Sequence, residues 1–339
     1  MKKVTILSFL CMAIFASCIK EKNTTPEENL SYLDYLSDKS IRNIVPLNGE
    51  VWIESSSICD SCHQHPYFSQ PSRQLTKVNG NNFDYNPDFT YTSLELDWEG
   101  NLYALDYGNV KAIYQVMGLN EFTLYETFPN FGFHRYTFDR NKNIWLSGYL
   151  GIAFWDGSQL TVYNELTSDL PSNITHGLAI DPEGVVWVLL DFEGLLRIES
   201  GNWQHIPNSS IPGFQPSSYL SSVAIQDNNH LWFQVFAPGS INPNILTFEN
   251  DKWIYHAPPN ASSYGHLIKD VNGRIWYTSF VWENFAFSGP NLSYYNNSEW
   301  FSVDVSHLKS RIMTLNVYES KLLLGTQMGL FEIDLPKGY

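Results

Sequence analysis

The sequence predicts an all-β fold, and three observations carry that expectation. A motif of the form apolar-x-apolar-Asp-x-x-Gly/Asn-x-apolar-Trp recurs along the chain. No segment shows sustained helical periodicity, whereas short alternating or apolar runs are bounded by turn residues. The 339 residues are 43% apolar, 15% aromatic and 16% charged, which excludes disorder, coiled coil and collagen-like structure and places most rings in a packed core.

The clearest copies of the motif occupy residues 94–103, 136–145, 178–187 and 267–276, with Asp97, Asp139, Asp181 and Asp270 at the same point of each. Weaker copies end at Trp52, Trp232 and Leu323. The seven anchors, Trp52, Tyr103, Trp145, Trp187, Trp232, Trp276 and Leu323, are spaced by 42 to 51 residues. A period near 45 suits one four-stranded propeller blade. The expectation is therefore a seven-bladed β-propeller over residues 31–339, with four antiparallel strands in each blade.

Each unit continues with a strand such as 151–155 or 194–198, a turn, and a final strand anchored by an aromatic residue, as at Trp203, Trp253 and Trp300. Turns at Asp156-Gly157, Ser200-Gly201 and 249–251 supply residues that tolerate positive φ in tight hairpins. The last unit ends at 331–335 with only four residues after it, too few for a fourth strand. An open edge invites pairing, and the segment Tyr32 to Tyr35 is the expected donor, closing the ring as the outermost strand of the seventh blade.

The N-terminus reads as an address. Lys2 and Lys3 precede an apolar run from Val4 to Ala16, too short to span a bilayer, so residues 1–17 are expected to be a signal peptide. Phe15-Ala16-Ser17-Cys18 resembles a bacterial lipoprotein lipobox, with Phe15 where Leu is usual. The resemblance implies lipidation of Cys18 and membrane attachment; ordinary cleavage near Ala16, leaving a soluble periplasmic protein, is the alternative. Residues 18–30 then form a polar tether. No Asp follows Cys18, which favours an outer-membrane lipoprotein, and the Lys-acidic pair beyond it is similar to surface-export signals. A net charge of −15 argues against nucleic acid as a partner.

The run Asp-x-x-Gly-x-Ile-Trp followed by Gly-Leu is similar to the two-component regulator propeller repeat, over nearly all of residues 40–339. That resemblance implies a sensor-type module for carbohydrate, here without a transmembrane helix or kinase after the last blade, and hence a binding propeller whose partner is a glycan or an envelope protein. The same repeats resemble, more weakly, virginiamycin B lyase-like propellers. This implies a His base with a divalent metal, for which His176 and His266 with Glu193 or Glu283 are the candidates. The repeated Asp and Trp residues themselves are expected to shape turns and to pack between blades.

In a propeller the innermost strands start at one face, and the second-to-third-strand connections return to it. Strand starts contribute Arg42, Tyr91, His134, His176, His266 and Arg311. The connections contribute Tyr107, Tyr149, Phe192 and Trp282, with Asp191, Glu193, Phe236, Glu283 and Phe285 beside them. Imidazoles ringed by aromatics suit a sugar, whose faces stack on rings while polar groups take its hydroxyls. His134 and His176 lie five residues before their repeat Asp and His266 four, so the three need not point alike. No catalytic residue, cofactor or metal is assigned.

Cys59-Asp60-Ser61-Cys62-His63 matches the Cys-x-x-Cys-His haem c attachment pattern, with His63 as iron ligand. The blade-one connection that holds it is short for wrapping a haem, and two thiols outside the cytosol favour a Cys59–Cys62 disulfide. Haem c, or metal binding with His63 and His65, remains the alternative.

Overall fold

Alternation of period two, cut every few residues by turns, folds here into seven antiparallel sheets whose innermost strands are Lys39–Leu47, Thr92–Leu96, Phe133–Phe138, Thr175–Ile180, Tyr219–Ile225, Gly265–Lys269 and Ile312–Tyr318. The computed structural model describes residues 32–57, 73–106, 111–129, 132–215, 217–226, 230–237, 244–249, 252–259, 265–283, 286–296 and 298–336. Within each sheet the strands pair in sequence order, so each blade is a meander. The fold is a seven-bladed β-propeller.

The turn after each innermost strand explains the repeat. Asp181 Oδ1 accepts the backbone N–H groups of Glu183 and Val185 at 3.0 and 2.9 Å, and its Oδ2 accepts the indole N–H of Trp187 at 3.1 Å. Asp270 does the same with Asn272, Arg274 and Trp276, and Asp97 with Glu99, Asn101 and the Tyr103 hydroxyl. In the fifth blade Gln226 stands at this position and its Oε1 takes the Trp232 indole at 3.1 Å. A single buried acceptor thus satisfies a tight turn and the one polar atom of the ring six residues on.

Those rings then face the next blade. The apolar core divides into seven clusters, and each anchor falls in a different one. Trp187 of blade four packs with Leu220, Leu231 and Phe233 of blade five, and Trp276 of blade six with Leu315, Leu322 and Leu324 of blade seven. The second strands, Ile144–Gly148 and Val186–Leu190 among them, are buried along their whole length because a neighbouring blade covers each face. Outer strands keep a half-buried aromatic anchor, Trp203, Trp253 or Trp300, between exposed residues.

Ring closure differs from the expectation. Tyr32–Leu36 is a short α-helix, not a strand, and among the described residues the seventh sheet has three strands, Ile312–Tyr318, Lys321–Thr326 and Gly329–Asp334. The helix lies where Leu36, fully buried, joins Leu323, Leu330 and Tyr318 of blade seven and Ile41, Val51 and Ile53 of blade one in one cluster. Gly329 has φ 131°, and a Cβ there would lie 2.6 Å from the Ser37 carbonyl oxygen, so the chain after the helix rests directly on the last strand. Asn316 Nδ2 donates to the Ile44 carbonyl at 3.2 Å, and the Tyr318 hydroxyl accepts the Gly80 N–H at 2.8 Å. Apolar side chains at 33 and 36 on one helical turn gain more from this seam than a strand of four residues gains from one ladder.

Candidate functional site at the channel mouth

A β-bulge near the start of the innermost strand recurs in six of the seven blades, with register shifts at Ile41/Asn43, Thr92/Glu95, Ser147/Gly148, Thr175/Gly177, Leu220/Ser222 and Ile312/Thr314. The extra residue of a bulge leaves the ladder and is re-aimed. Arg42, His134 and His176 occupy that position. His266 does not, since it pairs opposite Thr278 in an unbroken ladder. The one-residue offset seen in the sequence is this difference.

His176 Nε2 lies 2.6 Å from Asp191 Oδ1, and the imidazole stacks on Tyr219 at 4.3 Å between centroids and 21° between planes. Asp191 is held by its own N–H, which donates to Ile174 O at 2.9 Å. The next residue, Phe192, has φ 53°, is 48% exposed and meets Tyr219 edge-on, while Tyr219 also packs against Phe236. In blade three the His134 ring lies 4.9 Å from that of Tyr149 of the same blade, a residue 64% exposed. Burial, with the adjacent Arg135, holds His134 below the usual imidazole range. His266 is exposed to solvent, and partial desolvation, then Arg311 and Arg135, push it the same way.

Blade one supplies Arg42, whose Nε donates to Ser56 Oγ at 3.3 Å, and Arg73, which forms an ion pair with the buried carboxylate of Glu54. Arg311 lies over the Phe280 ring at 5.7 Å. Deeper in blade two, burial raises Glu95 to about 7, only partly offset by a hydrogen bond from Thr137 and by Arg135.

Of the residues anticipated from sequence, Arg42, Arg311, His266, His134 and His176 are linked by electrostatic influence, directly or through Arg135, and Tyr149 and Phe192 join them through ring contacts with His134 and Tyr219. Tyr91 does not: its ring packs on Phe89, Tyr114 and Phe122 in the seam between blades one and two. Tyr107, Cys18, Cys59, Cys62 and His63 lie outside the described residues, as does the side chain of Trp282. Tyr219, Arg135 and Glu95 were not anticipated. Tyr219 begins the fifth innermost strand, where Gln226 replaces the Asp from which strand starts are counted. Among the described residues no group of three or more His, Cys, Asp or Glu side chains comes together as metal ligands. His176 faces Asp191 and His266 lies within the influence of Arg311 and Arg135, while the side chain of Glu283 lies outside the described residues. Two cavities, of about 400 and 560 Å³, lie in outer parts of blades six and one and include none of these residues.

No protein-family model matches the chain, and no curated protein matches it. Solved structures do. The extracellular domain of a putative one-component system from B. thetaiotaomicron is similar over 87% of this chain at 14% identity and a TM-score of 0.57; this chain spans 38% of that one. Virginiamycin B lyase from Staphylococcus aureus is similar over 91% of this chain and 98% of its own, at 14% identity and a TM-score of 0.62. The GH74 enzyme of Niastella koreensis covers 88% of this chain and 52% of its own, at 13% identity and a TM-score of 0.60. The fold is shared by sensors and enzymes alike. At these identities the likeness is one of architecture, and the two kinds of propeller that the repeat resembles are both present among the neighbours.

Proposed function

We propose that the protein is a ligand-binding propeller of sensor type, that its ligand is a glycan docked at the channel mouth, and that it acts without catalysis. The observation that carries this reading is the exposed aromatic rim: Phe192 and Tyr149 stand out of the surface, Tyr149 against the His134 imidazole and Phe192 against Tyr219, which with Asp191 orients the His176 imidazole. Rings offered at the edge of a polar depression suit the alternating apolar faces and hydroxyl edges of a sugar. Fold likeness to a sensor's extracellular domain is consistent with it as analogy only. Binding to a glycan array, followed by isothermal titration with recovered ligand, tests it. Phe192→Ala and Tyr149→Ala should each weaken affinity about tenfold, the loss of one stacking contact. Unchanged affinity in both variants would remove the site from this face, and capture of a protein instead of a glycan would change the ligand class.

A second reading is favoured by the His176–Asp191 pair, an imidazole held by a carboxylate as in a general base. Ligand recovered cleaved, with turnover lost in His176→Ala, would replace binding by lyase or hydrolase chemistry. The address proposed with the first reading is the outer membrane, through a lipid on Cys18; a Cys18→Ala variant that still partitions into the membrane fraction would dismiss it.

A further inference from the structure

Arginines converge on the mouth from two adjacent blades, and among the described residues Glu54 is the carboxylate ion-paired to them. Arg42 stands in the bulge of the first innermost strand, Arg73 begins the third strand of the same blade, and Arg311 immediately precedes the innermost strand of blade seven. The ion pair to Glu54 occupies Arg73. Neither Arg42 nor Arg311 forms an ion pair among the described residues; the side chain of Arg42 donates to the Ser56 hydroxyl, and the buried Nε of Arg311 meets no acceptor there. The Phe280 ring supports the Arg311 guanidinium and leaves its edge N–H groups for another acceptor.

The electrostatics agree. Burial, then the nearby Arg73, depresses Arg42, with Glu54 opposing and Arg311 adding a smaller push, while burial alone depresses Arg311. Around the mouth His266 feels Arg311 and Arg135, and His134 feels Arg135, His176 and Lys111. Among the described residues the carboxylates near this arc include Glu54, Glu95, Asp191 and Asp106; Glu54 pairs with Arg73, Asp191 lies against His176, Glu95 accepts from Thr137, and Asp106 acts on Lys111. In a chain of net charge −15, a cluster of cations held against mutual repulsion is an unmet attraction for an anion. A guanidinium presents a planar pair of donors that fits a carboxylate or a sulfate in two parallel hydrogen bonds.

We propose that the mouth selects acidic glycans, with Arg42 and Arg311 receiving the carboxylate or sulfate of the sugar while the aromatic rim stacks its ring. This rests on the glycan reading above and specifies the substrate class within it.

The test is titration of the full chain with tri-galacturonate and with its carboxyl-reduced, neutral counterpart, followed by a sulfated trisaccharide. The acidic trisaccharide should bind at least about tenfold tighter than the neutral one, as expected for charge-assisted bonds to guanidinium groups. Raising sodium chloride from about 0.05 to about 0.5 M should erode that preference and leave neutral binding in place. Arg42→Gln and Arg311→Gln should each reduce the acidic preference several-fold, with the thermal midpoint held or raised because repulsion is relieved. Equal affinity for the acidic and neutral sugars overturns the inference and leaves the glycan reading standing. Binding of neither sugar by the wild type, nor of the sulfated one, defeats both. Lower stability in the two variants with the preference intact assigns these arginines to the scaffold and also overturns it. A preference for sulfate over carboxylate fixes which anion the site receives and supports it.

Discussion

Glu95 shows how a single side chain couples the channel to pH. Its carboxyl titrates near 4.5 when free and at about 7 in the fold, because burial disfavours the charged form more than Thr137 and Arg135 favour it. Below the lower value the group is protonated in both folded and unfolded chains and costs nothing. As pH rises from 4.5 towards 7 the unfolded chain gives up its proton first, so this group lowers stability progressively, and the full cost is present above about 7. Glu95→Gln keeps an acceptor for Thr137 and removes the charge. It should raise stability by on the order of 2 kcal/mol at about pH 8 and by nothing at about pH 4, as read by chemical denaturation across pH. An identical gain at both pH values would show that packing, not ionisation, is what the substitution changed. The imidazoles differ from one another for related reasons. His134 and His266 are kept below the ordinary range by burial and by arginines, so at neutral pH they meet a ligand as uncharged hydrogen-bonding groups.

At the scale of the element, the recurring turn is the unit on which the blades depend. Asp97, Asp181 and Asp270 each close the turn between the first two strands and bond the ring that packs on the next blade, so loss of one acts on a hairpin and a seam together, whereas Asp139 closes its turn through Asn143. Asp181→Ala should destabilise by about 3 kcal/mol, because two backbone N–H groups and a buried indole lose their acceptor. Asp181→Asn, which preserves one oxygen, should cost less. Unfolding by denaturant followed through tryptophan fluorescence compares them, and equal stability of the alanine variant and the wild type would deny the turn this role. The bulges are the second device. They remove one residue from the ladder near the start of six of the seven innermost strands, which is how Arg42, His134 and His176 leave the ladder while their neighbours Ile41, Phe133 and Thr175 are buried.

The whole molecule is a ring whose ends must meet, and the meeting is apolar. Leu36 of the N-terminal helix, Leu323 and Leu330 of blade seven and Ile41, Val51 and Ile53 of blade one form the closing cluster. Leu36→Ala should therefore cost about 2 to 4 kcal/mol and do so in one cooperative transition, since blades share every seam with a neighbour. Circular dichroism and fluorescence following the same midpoint would agree with this. Loss confined to a small early step, with the main transition unmoved, would mean that the helix is dispensable to closure. Two short apolar residues on a helix accomplish here what the sequence assigned to a fourth strand.

The motif spacing determined the blade number by itself, because a turn that needs an Asp and a ring six residues later leaves a periodic trace. It also placed Arg42, His134, His176, His266, Arg311, Tyr149 and Phe192 near one face, since strand starts and returning connections are fixed by the meander. Which side chains meet there was decided only in three dimensions. Tyr91 shares their position along the chain, yet turns into a seam because Phe89, Tyr114 and Phe122 offer it an apolar slot. Tyr219 and Glu95 carry no distinguishing motif, and their roles arise from neighbours on other blades, His176 for the one and Thr137 with Arg135 for the other. Local spacing is written in the order of residues, whereas burial and charge balance are sums over partners far apart in that order, and the ring alone brings those partners together.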